Sequence, residues 1–244
     1  MKIIGLIAFA GMIVMNYLAN ALPLNGKTTG QLSEQYPNLF TPAGITFSIW
    51  GVIYLLLLVY VVLQFRESHK GVSTAIGWLF IVSCVLNALW IVAWHYERLP
   101  LSMAIMLGLL LVLILINMQL KTFPAVWTRA AFGVYLGWIC IATIANATAL
   151  LVRYNWGGWG IPEESWAIAM VLTGAVITAL AAYRFQNPFI GLAVVWALAG
   201  IAMKRQADVP SIAVVALVAA ALTVIMVIWI FWNAVAINSF QGRT

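Results

Sequence analysis

Apolar residues dominate the chain in long uninterrupted runs, and the polar residues gather in short gaps between them. The runs do not alternate with period two, so they predict helices rather than barrel strands. Eight reach spanning length: Ile3–Leu22, Gly44–Phe65, Ser73–His95, Leu101–Leu120, Ala130–Val152, Ser165–Tyr183, Pro188–Met203 and Ser211–Phe240. The first begins behind Lys2 like a signal peptide, but it is long enough to span and reads as a retained helix. The seventh is the shortest and would also suit a tilted or re-entrant segment, so seven spans stay an alternative. Two runs carry polar side chains at helical spacing. Asn87, Trp90 and Trp94 fall at i, i+3 and i+7, and Trp138, Ala142 and Asn146 at i, i+4 and i+8, so each trio shares one helix face. An amide in hydrocarbon needs a partner, which turns both faces toward the protein interior or a ligand.

Composition sharpens this to an all-α, polytopic helical membrane protein. Hydrophobic residues make up 65% of the chain and charged residues 7%, against roughly 25% charged in soluble domains. With eight spans, Lys2, Arg66, Lys70, Lys121, Arg129, Arg184 and Arg243 fall on the N-terminal side. Lys27, Arg98, Arg153, Lys204 and Arg205 fall on the other. The excess is small and puts both termini in the cytoplasm. Glu67 accompanies the first group, and Glu34, Glu97, Glu163, Glu164 and Asp208 the second. The net charge of +6 is then a matter of topology, and no basic stripe with interleaved aromatics points to nucleic acid.

Most catalytic chemistry is missing. The two histidines, His69 and His95, cannot build a multi-histidine metal box, so neither a catalytic nor a metal site is expected. Cys84 and Cys140 are each alone in mid-span, as small core residues. No phosphate-binding glycine loop occurs. No carboxylate lies inside a span, against an intramembrane proton pump, and no late-helix lysine is available for a retinal Schiff base. What remains is amide and aromatic. Of the 12 tryptophans, Trp78, Trp127, Trp156, Trp159 and Trp166 suit interfacial anchoring. Trp50, Trp90 and Trp138 lie deeper beside polar residues, as pocket wall or as core. Gly133 and Gly137 form a GxxxG spacing that permits close helix approach. The connection Pro23 to Ala43 is the longest in the chain, and its Tyr36-Pro-Asn-Leu-Phe40-Thr-Pro42 end suggests a stiff, partly buried lid.

Three of these motifs, taken in order, resemble the TspO/MBR family of tryptophan-rich sensory proteins, related to the mitochondrial translocator protein or peripheral benzodiazepine receptor. Phe40-Thr-Pro42-Ala-Gly-Ile-Thr-Phe47-Ser-Ile-Trp50-Gly-Val-Ile-Tyr54 is similar to its second-helix signature, Asn87-x-x-Trp90-x-x-x-Trp94 to its third-helix motif, and Trp138-x-x-x-Ala142-Thr143-x-x-Asn146 to its fifth. Pro42-Ala43 replaces the family's Pro-Pro pair, and the gap to Trp50 is one residue shorter. The resemblance covers about residues 1–155 and implies a five-helix bundle, with 156–244 as a three-helix extension lacking a counterpart in the basic fold.

The resemblance further implies binding of tetrapyrroles such as haem and protoporphyrin, of sterols, or of benzodiazepine-type ligands, with no cofactor required. Trp50, Trp90, Trp94 and Trp138 would then line the pocket with Pro42, Phe47 and Tyr54. Asn87 and Asn146 would supply amide hydrogen bonds, and Ala142 and Thr143 would form a small close-approach patch. The expected protein is a receptor, sensor or transporter and not an enzyme. Its partners would be a hydrophobic small molecule and the lipid bilayer, with a homodimer left open and a bacterial inner membrane as default. Two rivals stand beside it. One is a secondary transporter using all eight helices, Asn16, Asn20, Asn117 and Asn233 included; the other is an assembly factor for a pigment-containing complex.

Overall fold

A computed structural model describes residues 1–22, 24–66, 74–121 and 125–241. Glu67, His69, Lys70 and Arg243, used above for topology and chemistry, lie outside the described residues. The helices are α1 (Lys2–Ala21), α2 (Thr29–Glu34), α3 (Ile49–Leu63), α4 (Thr74–His95), α5 (Leu99–Leu120), α6 (Val126–Arg153), α7 (Glu163–Phe185), α8 (Phe189–Arg205) and α9 (Pro210–Gln241). A 3₁₀ turn, Gly44–Ser48, leads directly into α3. Among the described residues seven helices are long and apolar enough to cross a membrane. The exception among the expected spans is α8, whose 17 residues rise only about 25 Å. The long helices leave Leu55, Leu58, Leu111, Val214, Leu217 and Leu222 exposed, an apolar outer surface that suits lipid and not water. The protein is an integral, all-α membrane protein.

The long helix α6 is the axis of the bundle. Every residue from Ala130 to Ile141 is buried, because α3, α5, α7 and α8 all pack on it. The GxxxG glycines explain how α8 comes so close. A Cβ on Gly137 would lie 2.2 Å from the Ile190 carbonyl oxygen, and one on Gly133 would lie 2.7 Å from Asn187 Nδ2. The helix pair α6–α8 therefore packs backbone to backbone at Gly137, while Gly133 makes room for the Asn187 side chain. Helix α8 in turn packs on α9, with Gly191 facing Val227. Residues on both sides of position 155 thus share one packed interior.

Buried amides tie the helices together. Asn16 of α1 donates from Nδ2 to Asn87 Oδ1 of α4 at 2.8 Å, and Asn87 Nδ2 donates to the Tyr135 hydroxyl of α6 at 2.8 Å. Asn187, just before α8, donates to Asn117 Oδ1 of α5 at 3.0 Å and to the Arg129 carbonyl at 2.9 Å. Asn117 also donates to the Phe132 carbonyl at 3.0 Å. Interhelical bonds of this kind contribute about 0.6 kcal/mol each on average in membrane proteins. Asn20, by contrast, is exposed and donates to the Asn16 carbonyl of its own helix at 3.0 Å.

The far end of α8 holds the start of α3. The Ala43 N–H donates to the Gly200 carbonyl at 3.1 Å, and Trp196 Nε1 donates to the Thr46 carbonyl at 2.8 Å. Gly200 has no room for a side chain, since a Cβ would meet Thr46 Oγ1 at 2.0 Å. The Pro23–Ala43 connection, expected to be without regular structure apart from its stiff end, contains α2. Thr28 and Gln31 form a complete capping box at its start, the side chain of each accepting from the other's backbone N–H.

Candidate functional site

The tryptophan faces of α4 and α6 do converge. Trp50 lies with its ring centroid 5.8 Å from Trp90 and 6.1 Å from Trp138, while Trp90 stacks on Trp94 at 6.1 Å and 21°. Phe47 meets Trp138 edge-on at 5.9 Å. Helical spacing produces this on α4, where positions 90 and 94 are one turn apart. The 3₁₀ turn that opens α3 delivers Phe47 and Trp50 from the other side. The rings surround a space of about 40 Å³, lined by Pro42, Phe47, Trp50, Trp90, Trp94, Trp138, Ala142 and Asn146 of the expected residues.

Three expected residues lie elsewhere. Asn87 is fully buried in the Asn16–Tyr135 network. Tyr54 stacks on Trp50 at 5.7 Å and 22°, behind the pocket wall. Thr143 donates to the Ile139 carbonyl of its own helix at 2.7 Å. Four lining residues were not singled out from the sequence: Ile141 and Ala145 of α6, and Thr29 and Ser33 of α2. The α6 pair continues the Ala142–Asn146 stripe and was legible from spacing. The α2 pair is signalled only by the capping box.

Helix α2 roofs the space and is fastened to the end of α4. Trp94 Nε1 points to the Thr29 carbonyl at 3.4 Å, a long and weak contact. Asn25 Nδ2 donates to the His95 carbonyl at 3.0 Å, and Lys27 pairs with Glu97 at 3.5 Å. The Tyr36 hydroxyl donates to Glu97 Oε2 at 3.0 Å while its ring leans on Trp94. Burial, and then the bond to Glu97, push the Tyr36 hydroxyl up to about 12. Beyond the roof, Asn38 Oδ1 accepts from the N–H groups of Phe40 and Thr41, a tight turn that sets Pro42 against the pocket.

Polar capacity around the space is unspent. Trp90 Nε1, Trp138 Nε1, Asn146 Oδ1 and Thr29 Oγ1 are buried and find no hydrogen-bond partner among the described residues. Asn146 is oriented by its other atom, Nδ2, which donates to Ser102 Oγ of α5 at 2.8 Å. The site therefore offers two indole donors, an amide acceptor and a hydroxyl inside an aromatic wall, and water or ligand must supply their counterparts. Among the described residues no cluster of His, Cys, Asp or Glu could hold a metal ion.

No curated protein and no solved structure matches the chain. A family model described as TSPO-like protein matches residues 2–229, running past residue 155, where the motifs end, through α7, α8 and most of α9. With the three motifs placed on α3, α4 and α6 and the match covering nearly the whole chain, this membrane protein belongs to the TSPO-like family.

Proposed function

We propose that this chain is a membrane sensor, receptor or transporter that binds a flat, hydrophobic small molecule, of which tetrapyrroles are the first candidates, in the tryptophan pocket beneath α2. The observation that carries this reading is the convergence of Trp50, Trp90, Trp94 and Trp138 on Asn146, with indole N–H groups and an amide oxygen left without protein partners. Stacking and burial would give affinity, and the few polar atoms would fix orientation. The space of about 40 Å³ is far below the roughly 300–1,000 Å³ of sites for ligands of that size. Binding therefore requires α2 and the Pro42 segment to lift, which makes the roof the element that a ligand would control. Both termini are assigned to the cytoplasmic face of a bacterial inner membrane: short as it is, α8 runs from Asn187 beside Arg129 to Lys204 and Arg205 beside Glu34 and Glu163, which keeps the crossings even, and basic residues are in small excess on that side.

The test is quenching of tryptophan fluorescence by protoporphyrin IX in the purified protein, beside Trp138→Phe and Asn146→Leu. Saturable quenching that weakens in both folded variants supports the pocket. Linear quenching, equal in all three proteins, means partition into detergent and removes the proposal.

A further inference from the structure

Two larger cavities adjoin each other near the roof, the second of them reaching Ser33 at the edge of the tryptophan pocket. The first, of about 370 Å³, is a groove between α6, α7 and the Pro37–Phe40 segment, walled by Leu151, Val152, Trp156, Trp166 and Met170. Its polar neighbours are already used: Thr148 donates to the Ile144 carbonyl, and Asn38 is spent on its turn. The second, of about 470 Å³, is polar, and the charged residues around it are Glu34, Glu163, Lys204 and Arg205. Pro37, Asn38, Leu39 and Glu163 line both. Across the shared wall the Leu39 N–H donates to Glu163 Oε1 at 3.1 Å.

The level of the groove is that of the membrane interface. Trp156 and Trp159 of the α6–α7 loop and Trp166 of the first turn of α7 cluster there with centroids 5.1 to 5.8 Å apart, beside Arg153 and the Glu163–Glu164 start of α7. The loop is tightly wound, with Asn155, Gly158, Trp159 and Gly160 all at positive φ. Trp166 Nε1 locks the loop by donating to the Gly158 carbonyl at 2.9 Å. In the polar cavity, Arg205 is 6% exposed; one guanidinium nitrogen pairs with Asp208, and Nε has no partner among the described residues.

An apolar groove at interfacial depth, opening beside a box with charges of both signs, matches one kind of molecule. We propose that the two cavities together hold a single zwitterionic phospholipid. One acyl chain runs along Leu151, Val152 and Met170, the phosphate meets Lys204 and Arg205, and the ammonium meets Glu163 and Glu34. An anionic lipid would place its phosphate correctly but leave both carboxylates without a cation. A fatty acid would do the same with a smaller head. The similar-sized groove between α7 and α9, about 380 Å³, has Thr223 as its one polar lining residue among the described residues and selects no headgroup.

The test is native mass spectrometry of the full chain, delipidated in detergent and titrated with phosphatidylethanolamine or phosphatidylglycerol of identical chains. We expect one saturable phosphatidylethanolamine adduct, favoured about fivefold over phosphatidylglycerol, the factor set by one partly exposed charge pair. Met170→Trp, which fills the groove, abolishes it, and Lys204→Gln weakens it. Glu163→Gln moves the preference toward phosphatidylglycerol, while Val176→Trp in the α7–α9 groove changes nothing. Leu151→Trp replaces Met170→Trp if the latter does not melt cooperatively. The proposal is overturned by the lack of a saturable adduct, or by equal binding of both lipids to the wild type. It is equally overturned by an adduct that survives a folded groove-filling variant or is lost in Val176→Trp.

Discussion

Gly137→Ala is the sharpest probe of how the two ends of this chain depend on each other. The added methyl would lie 2.2 Å from the Ile190 carbonyl oxygen and 3.0 Å from Ala193 Cβ. A relaxed carbon–oxygen contact is roughly 3.3 Å or more, so α8 must retreat by about 1 Å. The obstacle is backbone, which cannot rotate aside as a side chain can. Overpacking costs about 1–3 kcal/mol, and exchanging a mid-helix glycine for alanine returns at most about 1 kcal/mol. A collision with backbone falls at the upper end of that cost, so the net loss is about 2 kcal/mol, which at this chain length lowers the melting temperature by roughly 4–8 °C. The assay is thermal unfolding in detergent, followed by intrinsic tryptophan fluorescence. Gly108→Ala is the matched control, because its methyl would meet only Leu86 Cδ1 at an ordinary 3.7 Å. If both variants melt together, close backbone packing of α8 on α6 is not what holds the bundle.

Further outcomes follow from the same geometry. Gly133→Ala and Asn187→Ala should each destabilise, the first by about 1–3 kcal/mol through collision with the Asn187 side chain, yet the double variant should lose less than the sum; additive losses in the thermodynamic cycle would refute the contact. Tyr36 contributes stability through its raised pKa below its ordinary value near 10, and that contribution disappears as pH climbs toward about 12. Alkaline melting curves of Tyr36→Phe should therefore fall less steeply over that window than those of the wild type. Gly200→Ala pushes on Thr46 and should weaken protoporphyrin quenching, although position 200 is outside the pocket lining. Truncation after residue 155 should yield no cooperatively melting protein, since it strips α8 from the Gly133–Gly137 face; a sharp melt would show that the first 155 residues fold alone.

Much of this architecture was legible because apolar runs of spanning length leave a helix little choice. The boundaries differ by a few residues where local chemistry extends a helix past its apolar run. Helix α5 starts at Leu99, since Pro100 is tolerated in a first turn, and α6 begins at Val126 instead of Ala130. The pocket was legible wherever periodicity alone decides the face, as for Trp90 with Trp94 and Trp138 with Asn146. It failed for Asn87. Its face was read correctly as inward, but its partner is Asn16, 71 residues away, and no local pattern encodes that pairing. The length of the connection and its Tyr36–Pro42 end pointed to a lid, but the six residues of α2 are too few for a 3.6-residue period, leaving the Thr28-x-x-Gln31 cap as the only sign that the lid holds a helix. GxxxG announced a close neighbour but could not say which helix, and the answer came from beyond the residues that carry the family motifs.

The position of α8 gives that answer a functional consequence under the proposed reading. One helix is bound at its start to α5 and α6 through Asn187, along its length to α6 through Gly137, and near its end to the chain entering α3 through Gly200 and Trp196. That last contact holds Ala43 to Thr46, immediately between Pro42 and Phe47, both of which line the tryptophan pocket. A ligand that lifts the roof must move Pro42 while Thr46 stays tethered, so the displacement concentrates in the few residues before Ala43 and in α2. The fastenings of the α2 segment to the end of α4 are the partly exposed Lys27–Glu97 pair, a 3.4 Å indole contact and single hydrogen bonds from Asn25 to the His95 carbonyl and from Tyr36 to Glu97. Each is weak beside the close backbone packing of α8 on α6, with surface pairs contributing at most about 1 kcal/mol. Roof opening is therefore the low-energy motion of this site, and α8 is the fixed frame against which it occurs.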